Sequence, residues 1–310
     1  MPLYLTESEV ASLLTPADAL AAVEGSFRRL AAGEVVNQPR LRLPLDGGAL
    51  ALMAAVDRGL GLAGAKTYSA VAGNAAFVVV LFDAERGDCI AVIEANVLGR
   101  LRTGAASGVA AKHLTRSGAG RLGIVGCGFQ AETQVACIRA AVPTIETVTA
   151  FCRTDSNLAE FCARVGAEAA ESNREAAEEQ DIVVAVTTAK DPVLRGDWLS
   201  DGTLVCAVGA NHPSRRELDD AVLDRATFVC CDSIEQARIE SADLIEPVAH
   251  GVLDWLEVHE LHEVVAGEVA GRSSDADVVV FKSNGLAAWD VAIGAAAVER
   301  ARERGVGTDV

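Results

Sequence analysis

Aromatic residues are scarce in this chain: Phe, Trp and Tyr make up 4% of 310 residues, although half of the chain is apolar. Its core must therefore be built from Ala, Val, Leu and Ile, which suits helices packed on parallel strands better than an aromatic-rich sandwich. Positive charge is also short. Lys and Arg total 27 against 44 Asp and Glu, a formal charge of -17, so nucleic acid and anionic lipid surfaces are excluded as partners and only a local cation cluster could hold an anion. No uncharged apolar run reaches the roughly 18 residues a membrane helix needs. The best, "AAFVVVLF" at 75–82, has the length of a strand. The opening "MPLYLTESEV" has neither a basic nor an apolar stretch, so a secretory signal is not expected and the cytoplasm is the expected compartment. Eight cysteines occur without a single CxxC pair and are expected as buried thiols in a reducing compartment. The vicinal pair Cys230–Cys231 follows "ATFV" and should end a strand. "HELH" places His259 and His262 on an expected helix without Cys ligands or an open carboxylate partner nearby; a solvated helix face is the reading, and no metal is expected.

What is present falls into two parts. Residues 6–33 read as two helices: Thr6 with Glu9 makes a capping box, Thr15-Pro16 opens the second helix, and Gly33 ends it. "RLRLPL", "GALALMAAV", "LAGAKTYSAV" and the two halves of "AAFVVVLFDAERGDCIAVIEA" follow as strands, the last two joined by a turn at "DAERGD". "LRTGAASGVAAKHL" reads as a helix, with Arg102 just ahead of its N-terminus. From residue 121 strands and helices alternate strictly, which argues for a parallel sheet covered on both faces. The expected fold is α/β: a Rossmann doubly wound parallel sheet with a second, sheet-rich α+β domain. Residues 1–115 with the C-terminal helix 290–310 form the sheet-rich part, and residues 116–289 the dinucleotide-binding part.

"RLGIVGCGFQAETQ" at 121–134 carries the first chemistry. A glycine turn that follows a strand, opens a helix and lies in a βαβ unit is a pyrophosphate site. Gly126 permits the tight turn, Gly128 lets the backbone approach the phosphates at the helix N-terminus, and Ala131 is small enough for close helix–strand packing. Phe129 and Gln130 complete the turn. At the end of the second strand an NAD site usually carries Asp or Glu for the ribose hydroxyls. Here "FCRT" offers Arg153 and Thr154, with no acid before Asp155, a pair that favours a 2′-phosphate. The expected cofactor is NADP, with NAD possible.

Together, "QPR" (38–40), "GAK" (64–66), "LFDAERG" (81–87), "LRTGAAS" (101–107), "GCGFQA", "VGANHPSRRELD" (208–219), "DLIEPV" (243–248) and "VVVFKSNGLAAWD" (278–290) resemble the ornithine cyclodeaminase/mu-crystallin superfamily over nearly the whole chain. The resemblance implies an NAD(P)-dependent enzyme acting on α-amino or α-imino acids, and a front part that binds substrate and forms a homodimer. It makes Arg40, Lys66 and Arg102 the cations that hold the substrate carboxylate, with Arg42 a substitute for Arg40 and the cofactor phosphates an alternative partner for Arg102. Residue chemistry agrees, since a carboxylate away from water must be paired and guanidinium grips it with two bonds. Partial burial of Lys66 among apolar neighbours could lower its pKa enough for proton transfer. The expected cofactor set also takes in Thr187, Gly209, Ser283 and Gly285. By the resemblance Asn211, a candidate catalytic residue, departs from the family's ornithine cyclodeaminases and some of its alanine dehydrogenases, which have Asp there: an amide exchanges hydrogen bonds but carries no negative charge. His212 is a further candidate for proton handling, or a loop histidine without a role.

The leading expectation is therefore an oxidoreductase of the alanine dehydrogenase or imino-acid reductase type, moving hydride between nicotinamide and Cα. An ornithine cyclodeaminase that recycles NAD internally, and a non-catalytic crystallin-like cofactor-binding protein, are the alternatives.

Overall fold

The first two helices begin where their unpaired amides find partners. The Thr6 hydroxyl accepts from Glu9 N while the Glu9 carboxylate accepts from Thr6 N, and Thr15 and Asp18 repeat the arrangement at the helices Glu7–Leu13 and Pro16–Ala31. The computed structural model describes residues 1–310. Residues 1–102 with 286–310 form one unit, and residues 103–285 another. The expected boundaries, 115/116 and 289/290, lie 13 and 4 residues further along the chain than these.

The first unit is built on a mixed sheet. Strands β1 (Leu3–Leu5), β2 (Val35–Leu45), β3 (Gly48–Asp57), β4 (Leu62–Val71), β5 (Asn74–Asp83) and β6 (Cys89–Glu94) are joined by a C-terminal strand, Thr308–Asp309. The order is C-terminal strand, β1, β6, β5, β4, β3, β2. β2 to β6 form an antiparallel meander, and β1 runs parallel to β6. The β2–β3 register shifts between Gln38 and Leu41. Pro39, with no amide to donate, sits in that irregularity. Beyond it Arg40 is buried while Leu41, Leu43 and Leu45 are exposed. The helix Ala287–Arg304 packs on β3, β4, β5 and Pro16–Ala31, and Trp289 meets Phe27 with ring centroids 5.3 Å apart.

The helix that leads out of this unit spans Asn96–Leu114, so it begins several residues earlier than "LRTGAAS" suggests. Its first amides are satisfied from far away in sequence: the Glu7 carboxylate accepts from Asn96 N at 2.6 Å and from Val97 N at 2.8 Å. Arg102 therefore lies inside the helix and not ahead of its N-terminus.

The second unit has eight parallel strands: β7 (Arg121–Val125), β8 (Thr147–Phe151), β9 (Glu168–Ala169), β10 (Ile182–Ala185), β11 (Leu204–Ala207), β12 (Phe228–Cys231), β13 (Val258–Glu260) and β14 (Val279–Lys282). Their order is β13, β12, β14, β11, β10, β7, β8, β9. The chain winds outward from β7 through β9, then returns and winds the other way from β10. The loops beyond β7 and β10 thus lie at the switch point where such sheets bind ligands. β10, β11 and β14 are buried at every position, as strands covered on both faces must be. Cys230 and Cys231 end β12, and all eight cysteines are free thiols. "HELH" is not one helix face: His259 lies within β13 and stacks on Phe228 at 5.0 Å, whereas His262 lies in the next helix, Leu261–Ala266, and faces Glu260 at 3.2 Å. No helix is long and apolar enough to cross a membrane.

Candidate active site

In the first unit the pleat of β4 turns Lys66 inward, opposite Met53 on β3 and Val79 on β5. Its ammonium is almost fully buried and donates to Asp290 Oδ1 at 2.9 Å. Arg102 Nε lies 3.5 Å from the same oxygen, with its guanidinium 6.0 Å from the Trp289 ring. Arg40 Nε donates to Met53 Sδ at 3.3 Å. Burial, followed by the charges of Arg102 and Arg40, pushes the Lys66 amine down to about 8, although Asp290 acts in the opposite direction. The three expected cations are thus gathered, and Lys66 is more deeply buried than its surroundings in sequence suggest. Arg42 is only half-buried on β2, so Arg40 is the inward residue of the two. Gly99 has a local reason: a Cβ there would lie 3.1 Å from Lys66 Nζ.

Asp290 escaped the sequence reading. The signal was available, because it is the only charged residue between Ala287 and Val298. Its place in the first turn of Ala287–Arg304 favours a carboxylate through the helix dipole.

In the second unit β7 runs into residues 126–130 and then into the helix Ala131–Ala141. Gly126 has φ +105°, and a Cβ there would meet Val186 O at 2.6 Å, so only glycine fits this turn. Gly128 differs: a Cβ would meet nothing within 4 Å. Open space over that backbone is what an approaching pyrophosphate requires, and the turn fits a dinucleotide. Ala131 is buried, Phe129 is exposed, and Gln130 is the helix N-cap without a side-chain capping bond. Arg153 and Thr154 are both exposed beyond β8, and the Thr154 hydroxyl makes no capping bond to the helix Asp155–Val165.

Two buried acids fix the other expected cofactor residues. Glu217 Oε1 accepts from Thr187 N at 2.6 Å and from the Thr187 hydroxyl at 2.8 Å. Its Oε2 accepts from Gly209 N at 2.7 Å and Ala210 N at 2.9 Å. One carboxylate thereby ties the segments that follow β10 and β11. Burial raises its pKa, and Lys282 opposes the rise. Lys282 itself pairs with Asp243 at 2.9 Å, entirely out of solvent. Asp232 Oδ2 accepts from Ser283 Oγ at 3.0 Å, Asn284 N at 2.7 Å and Gly285 N at 2.6 Å, which shapes the turn after β14 around Gly285 at φ +87°. Glu217 and Asp232 were missed because their partners are mainly backbone amides, which leave no trace in side-chain patterns. Asn211 is half-buried four residues beyond β11. His212 is exposed and its Nδ1 is paired with the Ser214 hydroxyl at 2.8 Å.

The chain belongs to the ornithine cyclodeaminase/mu-crystallin family, whose model matches residues 2–305. It is 33% identical to the alanine dehydrogenase of Archaeoglobus fulgidus, over 99% of this chain and 98% of that protein. Among solved structures it is similar to the Delta(1)-pyrroline-2-carboxylate reductase of Thermococcus litoralis in complex with NADH and L-proline, with TM-score 0.94, 32% identity, and coverage of 99% of this chain and 100% of that one. It is likewise similar to an archaeal alanine dehydrogenase dimer with bound NAD, with TM-score 0.93, 34% identity, and coverage of 100% of this chain and 98% of the other.

Proposed function

We propose that this protein is an NAD(P)-dependent oxidoreductase that moves hydride between nicotinamide and Cα of a small α-imino or α-amino acid. The observation that carries the reading is the buried pair Lys66 and Arg102 on one carboxylate, Asp290, with buried Arg40 close enough to act on Lys66. Lys66 and Arg102, both held out of water, share one carboxylate, and a substrate carboxylate supplies the second anion. A crystallin-like cofactor-binding protein without catalysis would have no use for them. Relatives named alanine dehydrogenase and pyrroline-2-carboxylate reductase support the same chemistry.

The cofactor is held by the turn 126–131, by Arg153 and Thr154 beyond β8, and by the segments at Thr187, Gly209, Ser283 and Gly285. When bound, NAD(P)H supplies the hydride that reaches Cα. Arg40 and Arg102 grip the carboxylate and orient the imine. Lys66 Nζ, at about 8, is able to give a proton to the imine nitrogen near neutral pH and to recover it from solvent. Asn211 donates or accepts a hydrogen bond but holds no charge, which disfavours ornithine deamination. Since no acid precedes Asp155 beyond β8, we favour NADP over NAD. Relatives crystallised with NADH and NAD make the choice of cofactor one to measure.

We further propose a homodimer through the first unit, where Leu41, Leu43 and Leu45 on the edge strand β2 and Leu52 on β3 are exposed. Register pairs Leu41 with Leu52, so an apolar stripe lies on one side of the sheet.

The reaction is tested by following nicotinamide absorbance with NADH and NADPH. Substrates should be pyruvate plus ammonia, glyoxylate plus methylamine, and pyrroline- and piperideine-2-carboxylate, with ornithine plus NAD as control. Consumption of reduced cofactor with at least one imino acid is expected. Ornithine conversion without net cofactor turnover would overturn the reading in favour of a lyase.

A further inference from the structure

We propose that Asp290 is a positioning residue of the substrate site. Through one oxygen, Oδ1, it accepts a hydrogen bond from Lys66 Nζ and forms an ion pair with Arg102 Nε, which sets the two cations side by side and leaves their other N–H groups to a single bound carboxylate. This deepens the oxidoreductase reading and rests on it.

Asp290 belongs to a helix that is otherwise uncharged from Ala287 to Val298, and its side chain is 1% exposed. A carboxylate in such surroundings costs several kcal/mol unless it is paired, and here it is paired with Lys66 at 2.9 Å and Arg102 at 3.5 Å. A device for stability alone would match one cation to one anion. This one sets two cations, Lys66 and Arg102, against one carboxylate.

The groups facing Lys66 come from four elements: Asp290 on Ala287–Arg304, Arg102 on Asn96–Leu114, Arg40 on β2, and the Phe77 ring of β5 at 5.4 Å. Among the charged ones only Asp290 favours the ammonium; both guanidiniums oppose it. Asp290 therefore does two things at once. It sets the spacing of two carboxylate-binding groups, and it decides at what pH Lys66 still holds its proton.

The test measures the lysine directly, apart from activity. Lys66 is one of four lysines in the chain, so in protein labelled with carbon-13 at lysine Cε its resonance is identified by its loss in Lys66→Arg. Asp290→Asn should lower the Lys66 titration midpoint by about one pH unit or more. The alkaline fall of kcat/KM for the imino acid should move down with it. An unchanged midpoint, or a loss of turnover equal at every pH, overturns the proposal. Should the Asn variant not fold, Asp290→Glu carries the test: the retained charge keeps the midpoint near the native one, while the displaced carboxylate raises KM for the substrate about tenfold, at little cost to cofactor binding. A Glu variant with native KM overturns the proposal. A midpoint that shifts with Asp290 in a protein that reduces no imino acid supports the positioning and instead overturns the proposed reaction.

Discussion

Lys66 is charged at neutral pH in a place where burial and two guanidiniums oppose the charge. Its folded pKa, about 8, lies below the ordinary 10.5. Between those values the unfolded chain holds a proton that the folded protein has lost, so stability rises with pH across this window. The charging cost, about 3 kcal/mol by linkage, is fully present below the window and gone above it. The stability of the native protein relative to Lys66→Met should increase by roughly that amount as pH rises from about 8 to 10.5, measured by paired denaturant melts; parallel curves would show that the amine is not perturbed. Lys66→Ala should lose turnover and substrate binding together, with cofactor affinity nearly normal. Lys66→Arg separates charge from proton transfer, since guanidinium cannot release a proton near neutral pH. Recovery of substrate binding without turnover is expected, and stopped-flow kinetics would show it. Arg153→Ala should weaken NADPH binding by about 1.5–3 kcal/mol and leave NADH nearly unchanged; equal losses in fluorescence titrations would refute a 2′-phosphate role.

At the scale of elements, the glycine turn beyond β7 makes two neighbouring glycines behave differently. Gly126→Ala forces a side chain into a φ of +105° and against Val186 O at 2.6 Å, and should cost about 1–3 kcal/mol of stability. Gly128→Ala meets nothing within 4 Å. It should leave the melting temperature unchanged while weakening cofactor binding, which melting curves and fluorescence titration would separate. This turn was legible because strand, glycines and helix are consecutive, and the capping boxes at Thr6 and Thr15 were legible for the same reason. The start of Asn96–Leu114 was not, because its cap is Glu7, some ninety residues earlier. Arg102 was consequently placed ahead of a helix that already contains it. Arg40, Lys66 and Arg102 were found through likeness to a family. Their common carboxylate, Asp290, is more than two hundred residues from Lys66, and no local pattern links them. "HELH" failed for a related reason: two histidines three apart share a face only if a helix runs through both, and β13 ends between them.

For the molecule as a whole, the apolar stripe of Leu41, Leu43, Leu45 and Leu52 makes assembly testable. Leu41→Lys combined with Leu43→Lys should convert a dimer into monomers in light scattering, because like charges would meet across a symmetric contact. A native protein that is monomeric at micromolar concentration would remove the dimer. The discontinuity of the first unit has a different consequence, in biosynthesis. Residues 103–285 are contiguous and can fold as they emerge, whereas residues 1–102 must wait for residues 286–310. Until then β3, β4 and β5 lack the helix that covers them, the edge of β1 lacks Thr308–Asp309, and Lys66 and Arg102 lack Asp290. A nascent chain thus passes through a stage with a bare apolar sheet and uncompensated cations, a natural client for a chaperone that shields strands until translation reaches the final helix.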